Sequence, residues 1–431
     1  MHDLTQFLSP WLKAPAWHVA FSGGLDSTVL LNLLVDYARD HEAPPLRAVH
    51  IHHGLQAAAD AWPAHCQQVC DALGVELRVI HVQVEPVASL EQAARTARYD
   101  AFTALLGPGE VLFTGQHRED QAETLLFRLL RGAGLRGLAA MPASRPLGQG
   151  QLVRPLLDLA RDQLQRYAQA SGLRWIEDPS NTDTRFARNF LRAEVVPLLR
   201  QRWPQASQSL ARSTAHLGEA LALLDELAAS DIAAASAGAV VPWQCLDSLD
   251  MGVLAALSPA RQRNALQYWL SSRTRLPDSR HWAGWDNLRD AAADAQPLWR
   301  LTDGELQRSH GRLWWLSGDW LQAPQGGVAW PDPSQPLSLP GNGSLQLVGA
   351  IPGPGLHVTY RQGGEVLDIP GRGHRDLKRL LNEHRVPHFV RHRLPLLWQG
   401  ERLLAVANLP ELGQTDWQLQ WQPPTNVQGL S

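Results

Sequence analysis

The first ~200 residues alternate short apolar or β-branched runs with stretches of helical periodicity. Runs at 17–21, 46–51, 76–82, 111–114 and 173–176 have the length of buried strands. Between them, 28–38, 57–72, 91–106, 120–131 and 159–170 repeat apolar residues at helical spacing. The order β-α-β-α-β-α-β-α-β predicts an α/β fold with a doubly wound parallel sheet. From about residue 206 the pattern turns helical, with Leu210, Leu217, Leu221, Leu224 and Leu227 at core spacing. Pro and Gly gather over 324–355, which reads as a linker. The expected organisation is a parallel-sheet domain over 1–205, a helical middle domain over 206–325 and a small mixed α+β C-terminal domain over 350–431.

Composition narrows the classes. With 431 residues, 44% hydrophobic and 19% charged, the chain has material for two or three ordinary cores. No apolar run reaches bilayer length and no charged-then-apolar leader opens the chain, so a soluble, cytoplasmic protein with no membrane partner is expected. Three cysteines, Cys66, Cys70 and Cys245, cannot make a disulfide framework and suit a reducing compartment. A net charge of -3 argues against indiscriminate coating of nucleic acid, because phosphate binding needs Lys and Arg to displace counterions. Any RNA site must be local. Such a patch exists: Arg372, Arg375, Lys378, Arg379, Arg385, Arg391 and Arg393 stand against Asp376 and Glu383, with histidines interleaved.

The strongest chemical signal is Ser22-Gly23-Gly24-Leu25-Asp26-Ser27, between the first strand and the first helix. Adjacent glycines let backbone N–H groups approach phosphate oxygens, and the helix N-terminus adds partial positive charge. No lysine follows, so this is not a Walker loop, and the spacing is not that of a dinucleotide fingerprint. Phosphate would repel Asp26 unless a cation lay between them, which points to Mg2+ held by Asp26. His52 and His53 with Cys66 and Cys70 lack a Cys-x-x-Cys pair or a carboxylate to complete a zinc set.

The loop resembles the SGGxDS signature of the PP-loop ATP pyrophosphatases, which cleave ATP between its α and β phosphates. Several further segments are similar to one branch of that superfamily, the lysidine synthetases. His50-Ile51-His52-His53-Gly54-Leu55 resembles its VHxxHGL segment, and the stretch ending Arg95-Thr96-Ala97-Arg98-Tyr99 its ARxxRY helix. Gly115-Gln116-His117-Arg118-Glu119-Asp120-Gln121-Ala122-Glu123-Thr124 resembles GHHxDDQxET, with Gln116 in place of the first histidine and Glu119 in place of the first aspartate. Glu177-Asp178-Pro179-Ser180-Asn181 and Arg188-Asn189-Phe190-Leu191-Arg192 resemble EDxSN and RNxxR. Arg361-Gln362-Gly363-Gly364-Glu365 and the segment from Leu377 to Pro387 are similar to the family's C-terminal domain.

The resemblance implies ATP and Mg2+ as cofactors, free L-lysine as amine donor, and isoleucine tRNA with a CAU anticodon as partner. It implies adenylation of the wobble cytidine and displacement of AMP by lysine. Asp26, Arg98, Asp120 and Arg188 are then the catalytic candidates, with Ser22, Gly23, Gly24, Leu25, Asp26 and Ser27 binding the nucleotide. RNA would be held by Arg375, Lys378, Arg379, Arg385, Arg391 and Arg393. A homodimer is among the assemblies it allows. Two other readings stand beside it: a PP-loop tRNA thiolase, which Cys66 and Cys70 four apart on one helix fit poorly, and a nucleotide-regulated RNA-binding protein without catalysis. On their own, Asp120 and Glu123 are also ordinary helix-start carboxylates, and Arg188 with Arg192 an ordinary i, i+4 pair.

Overall fold

The computed structural model describes residues 4–55, 57–84, 90–237, 246–277, 281–292, 295–369, 373–412 and 416–425. Cys245 and Arg372 lie outside the described residues. The chain divides into two compact units, Met1–Leu223 and Leu224–Leu430. The expected boundary at 206 coincides with the start of a 31-residue helix, Ala206–Ser236. Its leucine stripe is not core throughout: Leu224 and Leu227 are each 37% exposed, while smaller residues of the helix, among them Thr214, Ala228 and Ala235, are buried.

The first unit holds a six-stranded sheet of β1 (Trp17–Ala20), β2 (Leu46–His52), β3 (Glu76–His81), β4 (Val111–Phe113), β5 (Ser144–Leu147) and β6 (Gly150–Val153), ordered β3-β2-β1-β4-β6-β5. All neighbours run parallel except the β5–β6 hairpin at the edge. Both faces are covered. Trp17, Val19, Phe21, Val29, Leu30 and Leu34 form the core on one side, while Val49, Phe102, Leu106, Leu112 and Leu152 form it on the other. Two-sided burial is why β4 reads as an unbroken apolar run rather than an alternating one. Helices α1 (Leu25–Asp40), α2 (Trp62–Leu73), α3 (Leu90–Leu105), α4 (Arg118–Leu130) and α5 (Arg161–Ala170) supply the covering layers.

The expected strand at 173–176 is not a strand. Ile176 makes a single parallel bridge to Gly24, its N–H donating to the Gly23 carbonyl at 2.8 Å. The fifth parallel position is taken by β6, a short segment opened by glycine. A Cβ at Gly150 would lie 2.3 Å from the Glu110 carbonyl oxygen, so only glycine lets this strand approach β4. The strand order reverses between β1 and β4, and in open α/β sheets ligands settle beyond the strand carboxyl ends at that point. The loops there are 22–27 and 114–117.

In the second unit, helices Met251–Ala256, Pro259–Leu270 and Ala283–Asp290 form the helical middle region. They share a core of Leu266, Trp269, Trp282, Trp285, Trp299 and Trp315 with a four-stranded antiparallel sheet over 248–316 that the periodicity did not announce. The segment read as a linker is structural: Val328–Ala329, Leu337–Ser338 and Ser344–Gly349 are strands. Val328–Ala329 pairs with Leu356–Thr359, Leu337–Ser338 with Ser344–Gly349, and Ser344–Gly349 with Trp417–Gln422. Its glycines mark tight turns, not slack chain.

Candidate functional site

The phosphate loop is built around two glycines with different reasons to be glycine. Gly23 has φ +82°, and a Cβ there would meet Ile176 Cδ1 at 2.9 Å and Cys66 Sγ at 3.1 Å. Gly24 caps α1 with no side-chain bond to its first turn. The turn is held internally: Ser22 and Ser27 hydroxyls lie 3.1 Å apart, and Thr28 Oγ1 donates to the Gly24 carbonyl at 2.9 Å. The free N–H groups of the first turn of α1 therefore remain available to an anion.

Asp26 sits in that first turn with its Oδ1 buried and without a protein partner. Burial, and secondarily the charge of Asp120, push its carboxyl above the usual range, against the pull of His117. An uncompensated buried carboxylate oxygen is what a bound cation would satisfy. No three His, Cys, Asp or Glu side chains among the described residues are arranged to hold a metal by themselves. A carboxylate beside a phosphate loop suits Mg2+, which takes few protein ligands and completes its shell with phosphate oxygens and water.

Next to Asp26, the start of α4 gathers a charge network. His117, 2% exposed, places Nδ1 3.1 Å from Glu119 Oε2, and Nε2 3.7 Å from Asp26 Oδ2 and 3.5 Å from Asp120 Oδ2. Burial works against the imidazolium, but the Glu119 hydrogen bond and the Asp120 and Asp26 charges outweigh it and raise its pKa. Burial likewise opposes the Glu119 carboxylate, yet bonds from His117 and from the Arg161 backbone N–H at 2.9 Å bring it down to about 2. Asp120 Oδ2 accepts the His117 N–H at 3.0 Å, a helix cap in addition to any chemistry.

Arg192 closes the network. Its guanidinium grips Glu123 with two bonds of 2.8 and 2.9 Å and reaches Asp120 Oδ1 at 3.2 Å. Burial disfavours its charge, but these carboxylates more than restore it. It projects from a π-helical turn, Leu191–Val195, a distortion that often marks functional sites. Arg192 stood in the sequence only as the last residue of an RNxxR pattern. Arg188, the residue singled out there, donates instead to Thr124 Oγ1 at 3.3 Å.

A cavity of about 580 Å3 joins these parts within the first unit. Of the sequence candidates, Ser22, Gly24, Leu25, Asp26, Ser27 and Arg98 line it and Gly23 does not. Arg161, Arg192, Thr114 and Gln116 line it as well and were not among the candidates. Asp120 and Arg188 are not on its wall, and Asp120 meets it through Arg192. His50 and His53 do face it, but His50 is committed to the Phe21 carbonyl at 2.9 Å. Burial keeps both histidines below the ordinary imidazole range.

The basic patch in the second unit divides. Arg375, Lys378, Arg379 and Arg385 are exposed, the two middle ones on a helix, Leu377–Glu383, that buries Leu377, Leu380 and Leu381. Arg391 is half-buried and donates to the Val386 carbonyl at 2.8 Å. Arg393 corrects the expectation: it is 2% exposed and sits over the Trp320 ring at 5.0 Å. Its donors go to Asn342 Oδ1 at 2.8 Å and to the carbonyls of Asp319 and Gln322. With its fork spent on internal acceptors, Arg393 holds the fold and offers nothing to RNA.

Three family models match the chain: a PP-loop domain over 1–199, a TilS substrate binding domain over 249–314 and a TilS substrate C-terminal domain over 356–421. Among curated relatives, a tRNA(Ile)-lysidine synthase of Pseudomonas putida is 73% identical over 424 residues, covering 98% of this chain and 99% of the relative. The enzymes of that name from Pseudomonas fluorescens and Pseudomonas syringae are 61% and 60% identical, covering 99% and 100% of this chain and 97% and 98% of theirs.

Proposed function

Because the chain belongs to the tRNA(Ile)-lysidine synthase family and forms lysidine in tRNA with ATP, we propose that it does so in two steps, adenylation of the wobble cytidine and displacement by free lysine. In the first step the C2 carbonyl oxygen of the base attacks the α-phosphorus of ATP, the Pα–O–Pβ bond breaks and pyrophosphate leaves. In the second, an amine of lysine attacks C2, the C2–O bond breaks, AMP leaves and the amine loses a proton. Adenylation is needed because a ring carbonyl oxygen is otherwise a poor leaving group.

The observation that carries this reading is the side-by-side placement of a free phosphate loop and a carboxylate–arginine network, which suits an anionic nucleotide beside a zwitterionic amino acid. The loop N–H groups, Ser22 and Ser27 hold phosphate. Asp26 would hold Mg2+, which would neutralise charge on the departing pyrophosphate. Arg98 and Arg161 face the same anion from the cavity wall. Asp120 orients the lysine ammonium, and Arg192 is placed to take its carboxylate. Arg188 keeps donors beyond its Thr124 bond for the substrate. Arg375, Lys378, Arg379 and Arg385 bind the backbone of an isoleucine tRNA with a CAU anticodon.

The thiolase reading loses ground on burial. Cys66 and Cys70 are fully buried, and burial pushes both thiols up to about 12, so neither supplies a thiolate. The deciding experiment incubates the protein with ATP, Mg2+, labelled lysine and CAU-anticodon isoleucine tRNA, with elongator methionine tRNA as control. Lysine entering only the isoleucine tRNA, with stoichiometric pyrophosphate, is expected. Pyrophosphate without lysine incorporation would refute the second step.

A further inference from the structure

Gln116 stands where the family pattern carries a histidine, so its chemistry has to be read from this chain alone. It follows Gly115, whose backbone is pressed on the phosphate loop: a Cβ at Gly115 would lie 3.0 Å from the Asp26 carbonyl carbon and 3.2 Å from Ser27 N. The peptide carrying Gln116 is therefore seated directly against the first turn of α1. Gln116 is among the residues that line the nucleotide cavity.

Among the described residues the amide has one tether. Thr114, 4% exposed at the end of β4, lies with Oγ1 2.5 Å from Gln116 Oε1. So short a contact fits O–H···O, which spans about 2.5–3.0 Å, and is too short for N–H···O, which begins near about 2.7 Å. The amide oxygen therefore faces Thr114, and the NH2 group is turned the other way. From these observations we infer that Gln116 is a catalytic residue whose amide N–H donors hold a non-bridging oxygen of the ATP α-phosphate during adenylation, with Thr114 as its positioning residue. An α-phosphate oxygen gains negative charge as the base oxygen attacks, and a preoriented donor strengthens as that charge grows. A carboxamide does not titrate, so the donor is present at every working pH. It also follows that the proton released by lysine does not leave through this position.

The inference rests on the two-step reading, and the test separates them. Wild-type enzyme with tRNA and lysine is assayed first, and absence of lysine incorporation there would refute the two-step reading itself. With wild type active, tRNA-dependent pyrophosphate release is measured for Gln116→Ala, Gln116→Glu, Thr114→Val and the Thr114→Val/Gln116→Ala pair, each checked by thermal melting. Gln116→Ala is expected to lower kcat of pyrophosphate release roughly 100-fold, the cost of one oriented donor, with the KM for ATP and the melting point little changed. Thr114→Val is expected to lower kcat about 10-fold, and the double variant to be no slower than Gln116→Ala. Gln116→Glu is expected to be slow near neutral pH and to recover as pH falls towards its carboxyl pKa, where the protonated acid again donates; wild type shows no such limb. Pyrophosphate release within twofold of wild type in Gln116→Ala, or multiplying effects in the double variant, would overturn the inference. So would a rise confined to the KM for lysine, which would place the amide on the amino acid instead.

Discussion

Arg192 in the first unit and Arg393 in the second are both bound by several internal acceptors, yet only Arg192 stands at the wall of the candidate site. Arg192 is paired with carboxylates, Glu123 and Asp120, and its side chain stays 41% exposed at the wall of a cavity. Arg393 is paired with neutral carbonyls and an amide, under an indole ring, and is closed off from solvent. A guanidinium held by charge at an opening can exchange a partner for a substrate group. One held by backbone carbonyls cannot leave without exposing them unsatisfied. The same contrast separates the site as a whole from the exposed arginines around the Leu377–Glu383 helix: the first is a bonded network of fixed geometry, the second a set of charges open to water.

The largest effect should come from Asp26→Asn, which keeps size and removes the charge beside the phosphate loop. Lysidine formation is expected to fall about 1000-fold, while a rise in melting temperature is also expected, since a carboxylate with one buried, unpartnered oxygen destabilises the fold. Unchanged turnover would remove Asp26 from the chemistry. Arg393→Ala should then cost about 2–4 kcal/mol of stability and leave the salt dependence of tRNA binding of the surviving folded protein as it was. A shallower salt slope would return Arg393 to the RNA surface.

Glu119→Gln sharpens the comparison through pH. The Glu119 carboxyl ordinarily titrates near 4.5 and is held at about 2 in the fold. A group with a depressed folded pKa stabilises above its unfolded value and loses that contribution as pH falls towards the folded one. Wild type should therefore exceed the variant by roughly 2–3 kcal/mol near neutral pH, and urea melts should converge between about pH 4.5 and 2. A gap independent of pH would assign the loss to packing. The smallest effect is reserved for the solvent side. Replacing Arg375, Lys378 and Arg379 together by Gln should weaken tRNA binding about 10-fold at moderate salt and reduce the log–log salt slope by roughly 2–3, with melting unchanged. Full retention of the slope would move the RNA surface elsewhere.

What was legible in the chain follows from how each feature is encoded. The parallel sheet, its covering helices and the phosphate loop are local: apolar runs of strand length, helical periodicity and Ser22-Gly23-Gly24-Leu25-Asp26-Ser27 are all contiguous. The same was true of the motif residues at the start of α4. The edge hairpin was not legible, because β6 begins with a glycine selected by Glu110 across the sheet. Nor was the strand character of 328–349, since turn glycines and linker glycines look alike until their partners are in place.

The sequence by itself determined the residue types that meet ATP, because a phosphate loop is made by neighbours along the chain. Only the tertiary structure decided which charges act together. Arg192 lies 69 positions from Glu123 and Arg393 51 from Asn342, and nothing in either arginine's own neighbourhood says whether its partner is a carboxylate at a cavity or a carbonyl in a core. The roles of such side chains depend on local dielectric and on distances of a few ångströms, which exist only once the chain has closed.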